Sequence, residues 1–211
     1  MKHISLTEIN EWDRFYRANF INSLSGFKSA TLIGTLKENR QPNLALFSNI
    51  FHVGAQPAVI GFVNRPREAA PHTLANIERT GVYTMNLVPE KYIAQAHQSS
   101  AKFKIETDEF LASGFSTQFV DKVDAPFVAE SIVKYALQLL EIIPVRHNQT
   151  FIVLGSVTHV IIDDGLVSND GFIHLEKANT ITSLGIDGYY STSLQSRYKY
   201  AKADEPVVKI V

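Results

Sequence analysis

The sequence contains no cysteine. That absence removes disulfides, thiolate nucleophiles and zinc–thiolate sites together, and it fits a reducing compartment, so a cytoplasmic location is expected. An excess of either charge is missing as well. There are 20 Lys and Arg against 21 Asp and Glu, a formal net charge of -1, which gives no global basic field for nucleic acid or an acidic membrane. No apolar run approaches the roughly 18 residues of a membrane-spanning helix. The opening MKHISLTEINEWDRFYR is too polar for a secretory signal. The signatures HExxH, GxSxG, Walker A and GxGxxG are all absent, so no zinc protease, serine hydrolase, P-loop or Rossmann site is announced. The seven histidines include no close pair of metal-ligating spacing. His52, His97, His147, His159 and His174 read as turn or packing residues, and the acidic pairs Asp108–Glu109 and Asp163–Asp164 as helix-start and turn residues.

What is present is globular material: 211 residues, 45% apolar and 19% charged, enough for one substantial domain and short for two. Leu6, Ile9, Phe15, Phe20 and Ile21 predict a helix over Ser5 to Asn22, and Ser23 to Gly26 breaks it. Strand-like runs follow at Ala30 to Leu36, Asn43 to Val53 and Ala58 to Val63, separated by turn residues, as in an antiparallel meander. His72 to Arg79 has helical spacing with Gly81 as its stop, and Val82 to Val88 is a further strand. Pro89 to Phe115 reads as two short helices around a charged turn. Ser131 to Pro144 is apolar enough for strand or helix; its β-branched residues and the neighbouring run Phe151 to Ile162 favour a strand pair. Asp163-Asp164-Gly165 reads as a tight turn into a short last strand. Without regular strand–helix alternation the pattern is mainly β, a barrel decorated with helices.

Two segments carry residues suited to a flat, phosphorylated ligand. Arg65 and Arg67, with Pro71-His72-Thr73 opening a helix, offer cations and oriented N–H groups to a phosphate, or else form a solvated surface loop with a capped helix. Asn43-Leu44-Ala45-Leu46-Phe47-Ser48-Asn49 alternates small or polar with apolar side chains, as a ring-binding strand or an ordinary edge strand does. Period-two geometry sets Ser48 opposite Phe47, so both reach one ligand only near a bulge or strand end.

The order of these pieces resembles a known family. Asn-Leu-Ala-x-Phe-Ser at Asn43 to Ser48, Pro57 before an apolar strand, the Arg65 segment, His72-Thr73-Leu74-x-Asn76-Ile77, Gly81 and Asn86-Leu87-Val88 match in order and spacing. So do Ser99-Ser100, then Asp108-Glu109-Phe110 and Gly114-Phe115, which resemble the family's second cofactor-flanking segment, and Val153 to Val157 and Leu184-Gly185 to Tyr189-Tyr190. Together they are similar to the FMN-binding flavin reductase-like split-barrel proteins, with coverage from about Ser29 to Tyr190. The resemblance implies an FMN-binding split β-barrel with peripheral helices, as one domain over residues 1–211 with a helical extension at 1–28 and a tail at 191–211. It implies a homodimer with each cofactor near the subunit interface. Asn43, Leu44, Ala45, Leu46, Phe47, Ser48 and Asn49 would border the ring, Arg65, Arg67, His72 and Thr73 the phosphate, and Ser99 and Ser100 would approach the flavin.

The expected activity is transfer of hydride from NADH or NADPH to FMN N5. The cofactor carries that chemistry, so no protein acid or nucleophile is required. The alternative is an FMN-binding electron carrier or sensor without nicotinamide turnover. Split barrels that hold haem or pyridoxal phosphate are further readings; the latter wants more basic clustering than Arg65 and Arg67, and an axial haem ligand would fall to His72 or His174. The tail, with Gln195-Ser196-Arg197-Tyr198-Lys199-Tyr200, departs from the family pattern and leaves the substrate open.

Overall fold

The computed structural model describes residues 1–211. The single N-terminal helix expected from spacing is two, α1 (Leu6–Glu11) and α2 (Arg14–Leu24). The break has a local cause: Asp13 Oδ1 accepts the N–H groups of Phe15 and Tyr16 at 2.8 and 3.2 Å, which starts a new helix at Arg14. Neither helix buries a residue.

A meander follows: β1 (Lys28–Ser29), β2 (Thr31–Leu36), β3 (Pro42–Phe47), β4 (Ile50–Ala55) and β5 (Ala58–Asn64). The run expected as one strand from Asn43 to Val53 is therefore broken at Ser48–Asn49, which is the corner that lets Phe47 and Ser48 share a site. Then come α3 (Pro71–Thr80), β6 (Val82–Leu87), α4 (Ile93–Gln98) and α5 (Glu109–Ser113). Gly81 stops α3 in the left-handed region at φ 71°, where a side chain would be strained. β7 (Thr117–Gln118) and β8 (Phe127–Val128) form a small ribbon, β9 (Val133–Val145) and β10 (Thr150–Ile162) a long hairpin, and β11 (Ile181–Leu184) and β12 (Gly188–Ser191) a last one. The turn expected at Asp163-Asp164-Gly165 does not lead directly into a strand. Asp163 Oδ1 accepts Gly165 N–H at 2.9 Å and a short 3₁₀ turn, Asp164–Leu166, follows. β11 begins only at Ile181, where it pairs with β1 and β12 in a separate sheet.

Seven strands form one antiparallel sheet in the order β3-β2-β6-β9-β10-β5-β4. Its outermost strands are consecutive in sequence, joined by Ser48 and Asn49 alone. Two edges linked by two residues must approach each other, so the sheet curls into a barrel that stays split along β3 and β4. Inside pack Ile33, Phe62, Leu74, Ile77, Tyr83, Met85, Leu137 and Val153, with Phe47, Phe62 and Tyr83 stacked edge to face at 5.1 and 5.8 Å. Burial holds the Tyr83 hydroxyl far above its ordinary titration range, and pushes that of Tyr135 up to about 12. On the other face Leu32, Leu44, Ala96, Phe110 and Val128 share a second cluster beneath α4 and α5. Covered on both faces, β2 is buried at every position, which is why its sequence lacks clean alternation.

Buried polar groups tie these layers together. Asn86 Nδ2 donates to Leu32 O at 3.1 Å and to Thr84 Oγ1 at 3.0 Å, while Asn86 Oδ1 accepts Val128 N–H at 2.9 Å. The tail folds back on the chain: Arg197 pairs with Asp170 and lies 4.0 Å over the Phe172 ring, and Tyr198 bridges to Lys209.

Candidate functional site

A cleft of about 440 Å³ opens where β3, the Ser48–Asn49 corner, the loop before α3 and the first turn of α3 converge. The segment after α4 and the β11–β12 turn complete its walls. No residue of the 191–211 tail lines it.

The β3 wall follows from hydrogen-bond alternation. β3 is an edge strand, with Leu44 opposite Gly34 and Leu46 opposite Leu32 of β2. Leu44 N–H points away from that ladder and donates to Glu109 Oε2 at 2.9 Å. Outward and inward groups alternate along an antiparallel strand, so Leu46 N–H and the carbonyls of Leu44 and Leu46 also face away from β2. Both residues line the cleft. A flat heterocycle with donors and acceptors along one edge can pair with this backbone as another strand would.

The opposite end is an anion site. Asn64 closes β5 fully buried, and its Nδ2 donates to the carbonyls of Arg65 at 2.7 Å and Ala70 at 3.5 Å. One side chain thereby ties the loop before α3 at both ends. The helix begins with proline in its first turn and no side-chain cap at Ala70, and Ala70, Pro71, His72 and Thr73 all line the cleft. Its first N–H groups are open to a ligand. Arg65 lines the same space, and no carboxylate pairs with it.

Arg67 is the one expected phosphate residue that the fold does not bring to the cleft. Its Nη1 donates to Glu78 Oε2 at 2.8 Å as half of a two-pronged pair, and its guanidinium lies 4.9 Å over Phe151. The pair holds Glu78 below the usual carboxylate range. Being exposed, it contributes little, and Arg67→Ala is expected to lower stability by about 1 kcal/mol or less, read as a shift in the urea midpoint.

Asn43 to Asn49, Arg65, His72, Thr73, Ser99 and Ser100 all border the cleft. Ser99 Oγ donates to Ala96 O at 2.7 Å and Ser100 Oγ to His97 O at 2.6 Å. Their hydroxyl protons are committed to α4, which leaves these oxygens as acceptors for a ligand. His97 Nδ1 lies 2.8 Å from Tyr189 Oη, tying α4 to the β12 wall.

Sequence reasoning leaves two parts of the site without a role, and gives a third, Glu109, only as part of a segment flanking the cofactor. Lys102, two residues after Ser100, lines the cleft. The wall from Gly185 to Tyr189 lies within a segment noted for its resemblance but given no role, and Ser183, just before that segment, has its Oγ buried without a partner. Glu109 reads from the sequence as a helix-start residue, in a segment that the resemblance sets beside the cofactor. It is that, and it is also buried, 5% exposed, with its carboxylate at the cleft. Oε2 accepts Leu44 N–H, and with the Asn43 amide turned to suit its neighbours, Nδ2 donates to Oε2 at 2.8 Å and Oδ1 accepts from Thr35 Oγ1 at 3.3 Å. Thr35 in turn accepts from Asn76 Nδ2 at 3.0 Å. His72 Nδ1 lies 3.6 Å from Glu109 Oε1. Burial raises the Glu109 carboxyl above the usual carboxylate range, against the pull of Leu44 N–H, Lys37 and His72.

The flavin reductase like domain model matches residues 24–178. The chain belongs to the flavin reductase-like family. It is thus a flavin-related oxidoreductase on a split barrel. A split barrel protein from Shewanella frigidimarina NCIMB 400, provisionally named a flavin reductase, is 40% identical; the alignment covers 95% of this chain and all of that one, with a TM-score of 0.91. Nitrilotriacetate monooxygenase component B from Bacillus cereus is 18% identical over 92% of this chain and 97% of its own, with a TM-score of 0.81. Flavoredoxin from Desulfovibrio vulgaris (Miyazaki F) is 20% identical over 97% and 98%, with a TM-score of 0.72. The last two likenesses are of fold. No helix is long and apolar enough to cross a membrane. The family match excludes α1, nearly all of α2 and everything after residue 178, so the Ser183–Tyr189 wall lies outside the matched core.

Proposed function

We propose that this chain binds FMN in the cleft and transfers hydride to it from NADH or NADPH, acting as a homodimer in the cytoplasm. The observation that carries the reading is the convergence of two unlike features in one cleft: the open edge of β3 and the uncapped start of α3 beside unpaired Arg65. The donor set suits the cofactor. Cations and free N–H groups stand at one end for a phosphate, backbone donors and acceptors at the other for a heterocycle edge, and Ala45 and Ser48 keep the intervening wall low.

Bound FMN would supply the hydride acceptor, its N5 atom. Arg65, His72, Thr73 and the first N–H groups of α3 would hold the phosphate. Leu46 N–H and the Leu44 and Leu46 carbonyls would orient the ring, and a donor from the Ser48–Asn49 corner directed at its pyrimidine edge would favour the negative charge that reduction leaves there. Ser99 and Ser100 would accept from the ring or ribityl chain. Proximity and alignment would then serve the hydride step.

The test is spectroscopic. The purified protein incubated with FMN is expected to show a flavin absorbance band that bleaches when NADH or NADPH is added anaerobically. A band that persists through both additions would favour the electron carrier or sensor, and no bound flavin at all would overturn the cofactor assignment.

A further inference from the structure

We infer that the His72–Glu109 couple takes up a proton when the FMN phosphate docks, so that the cleft separates FMN from its unphosphorylated parent, riboflavin, partly through this linked protonation. The inference rests on the phosphate assignment above. His72 is the second residue of α3 and half-buried, and its Nδ1 faces Glu109 Oε1 at 3.6 Å. Nε2 is the ring atom left for the cleft. A neutral imidazole with its proton directed at the carboxylate presents a lone pair at Nε2, and a phosphate dianion has only lone pairs to meet it. Imidazolium removes the conflict, donating forward to phosphate and backward to Glu109.

Glu109 has little freedom to turn away. Leu44 N–H holds Oε2 at 2.9 Å and the side chain is enclosed. Negative charge on both sides of the ring stabilises the cation. If the arriving phosphate instead drives the proton onto Glu109, whose burial already favours the neutral acid, the uptake is the same, because the proton belongs to the pair.

The surrounding charges are few. Lys37, the residue after β2, faces Glu109 but donates to the carbonyls of Ile105 and Thr107. Arg65 and Glu68 line the cleft from the loop before α3, Lys102 from the segment after α4, and Asp187 from the β11–β12 turn. The second phosphate proton is lost near pH 6, as in other phosphate monoesters, so free FMN is largely a dianion above about pH 7. Uptake on binding then means that affinity falls as pH rises from about 7 to 8.5, by roughly threefold to tenfold.

Titration calorimetry of FMN and riboflavin, in buffers of different ionisation enthalpy, measures the proton count directly. FMN is expected to bind with uptake of a substantial fraction of a proton and riboflavin with none. Glu109→Gln keeps an acceptor for Leu44 N–H while removing the charge, and it should abolish most of the uptake. His72→Asn should do the same and serves if Glu109→Gln fails to fold. Equal uptake for both ligands, FMN binding without uptake, or uptake undiminished in both variants would overturn the inference while leaving FMN binding intact. Failure of FMN to bind the wild-type chain would instead overturn the phosphate assignment, and this inference with it.

Discussion

Arg65→Ala is expected to weaken FMN binding by about tenfold to a hundredfold, the worth of one or two charge-assisted hydrogen bonds, and to leave riboflavin affinity nearly unchanged. Arg65 stands exposed at the cleft with no carboxylate partner, beside the open N–H groups of α3. Its charge is therefore free to meet a phosphate, with no internal ion pair to break first. Arg65→Lys should recover only part of the loss, because an ammonium group keeps the charge but lacks the two-pronged geometry of the guanidinium. Flavin fluorescence quenching measures both affinities in one format. If riboflavin weakens as much as FMN, Arg65 acts by holding the loop in shape, and the phosphate end of the cleft must be sought elsewhere.

The contrast between Arg65 and Arg67 marks the limit of what could be read from the sequence. The two side chains are alike and two positions apart, and only the fold shows that Glu78, eleven residues beyond Arg67, engages one and leaves the other free. Strands β2, β5, β6, β9 and β10 were legible because β-branched and aromatic runs between turn residues have few other conformations to adopt. The start of α3 and its stop at Gly81 were legible for equally local reasons. The break between β3 and β4 was not, because the alternation of side chains continues through Ser48 and Asn49 while the backbone turns from one edge of the sheet to the other. The burial of Glu109, in a segment the resemblance already set beside the cofactor, was hidden for a different reason. It depends on Leu44, Asn43 and His72, which are remote in sequence, and an acidic residue in the first turn of a helix already has an ordinary explanation.

Gly34→Ala is expected to cost about 3–5 kcal/mol, combining overpacking with the loss of a buried hydrogen bond. Gly34 sits in the middle of β2, between Leu44 of β3 and Thr84 of β6. A β-carbon there would collide with the Pro126 carbonyl oxygen and stand 2.7 Å from Thr84 Oγ1. Thr84 Oγ1 donates to that carbonyl at 2.6 Å, and both flanking residues, Ala125 and Phe127, are fully buried. Backbone and a bonded hydroxyl, not a flexible side-chain tip, would have to move. For a chain of this size the cost corresponds to a fall in melting temperature of roughly 10 °C. Gly26→Ala is the control. Gly26 has φ 75° but nothing within 4 Å of an added β-carbon, so it reports backbone strain alone, about 1 kcal/mol. Equal stability of the two variants would show that the Pro126 carbonyl does not pack on β2 as described. The functional consequence follows from register. Gly34 lies directly opposite Leu44, so displacing β2 there also displaces the N–H that Glu109 holds and the strand edge that borders the cleft. Whatever Gly34→Ala protein remains folded should therefore lose affinity for FMN and riboflavin together, whereas Arg65→Ala affects FMN alone.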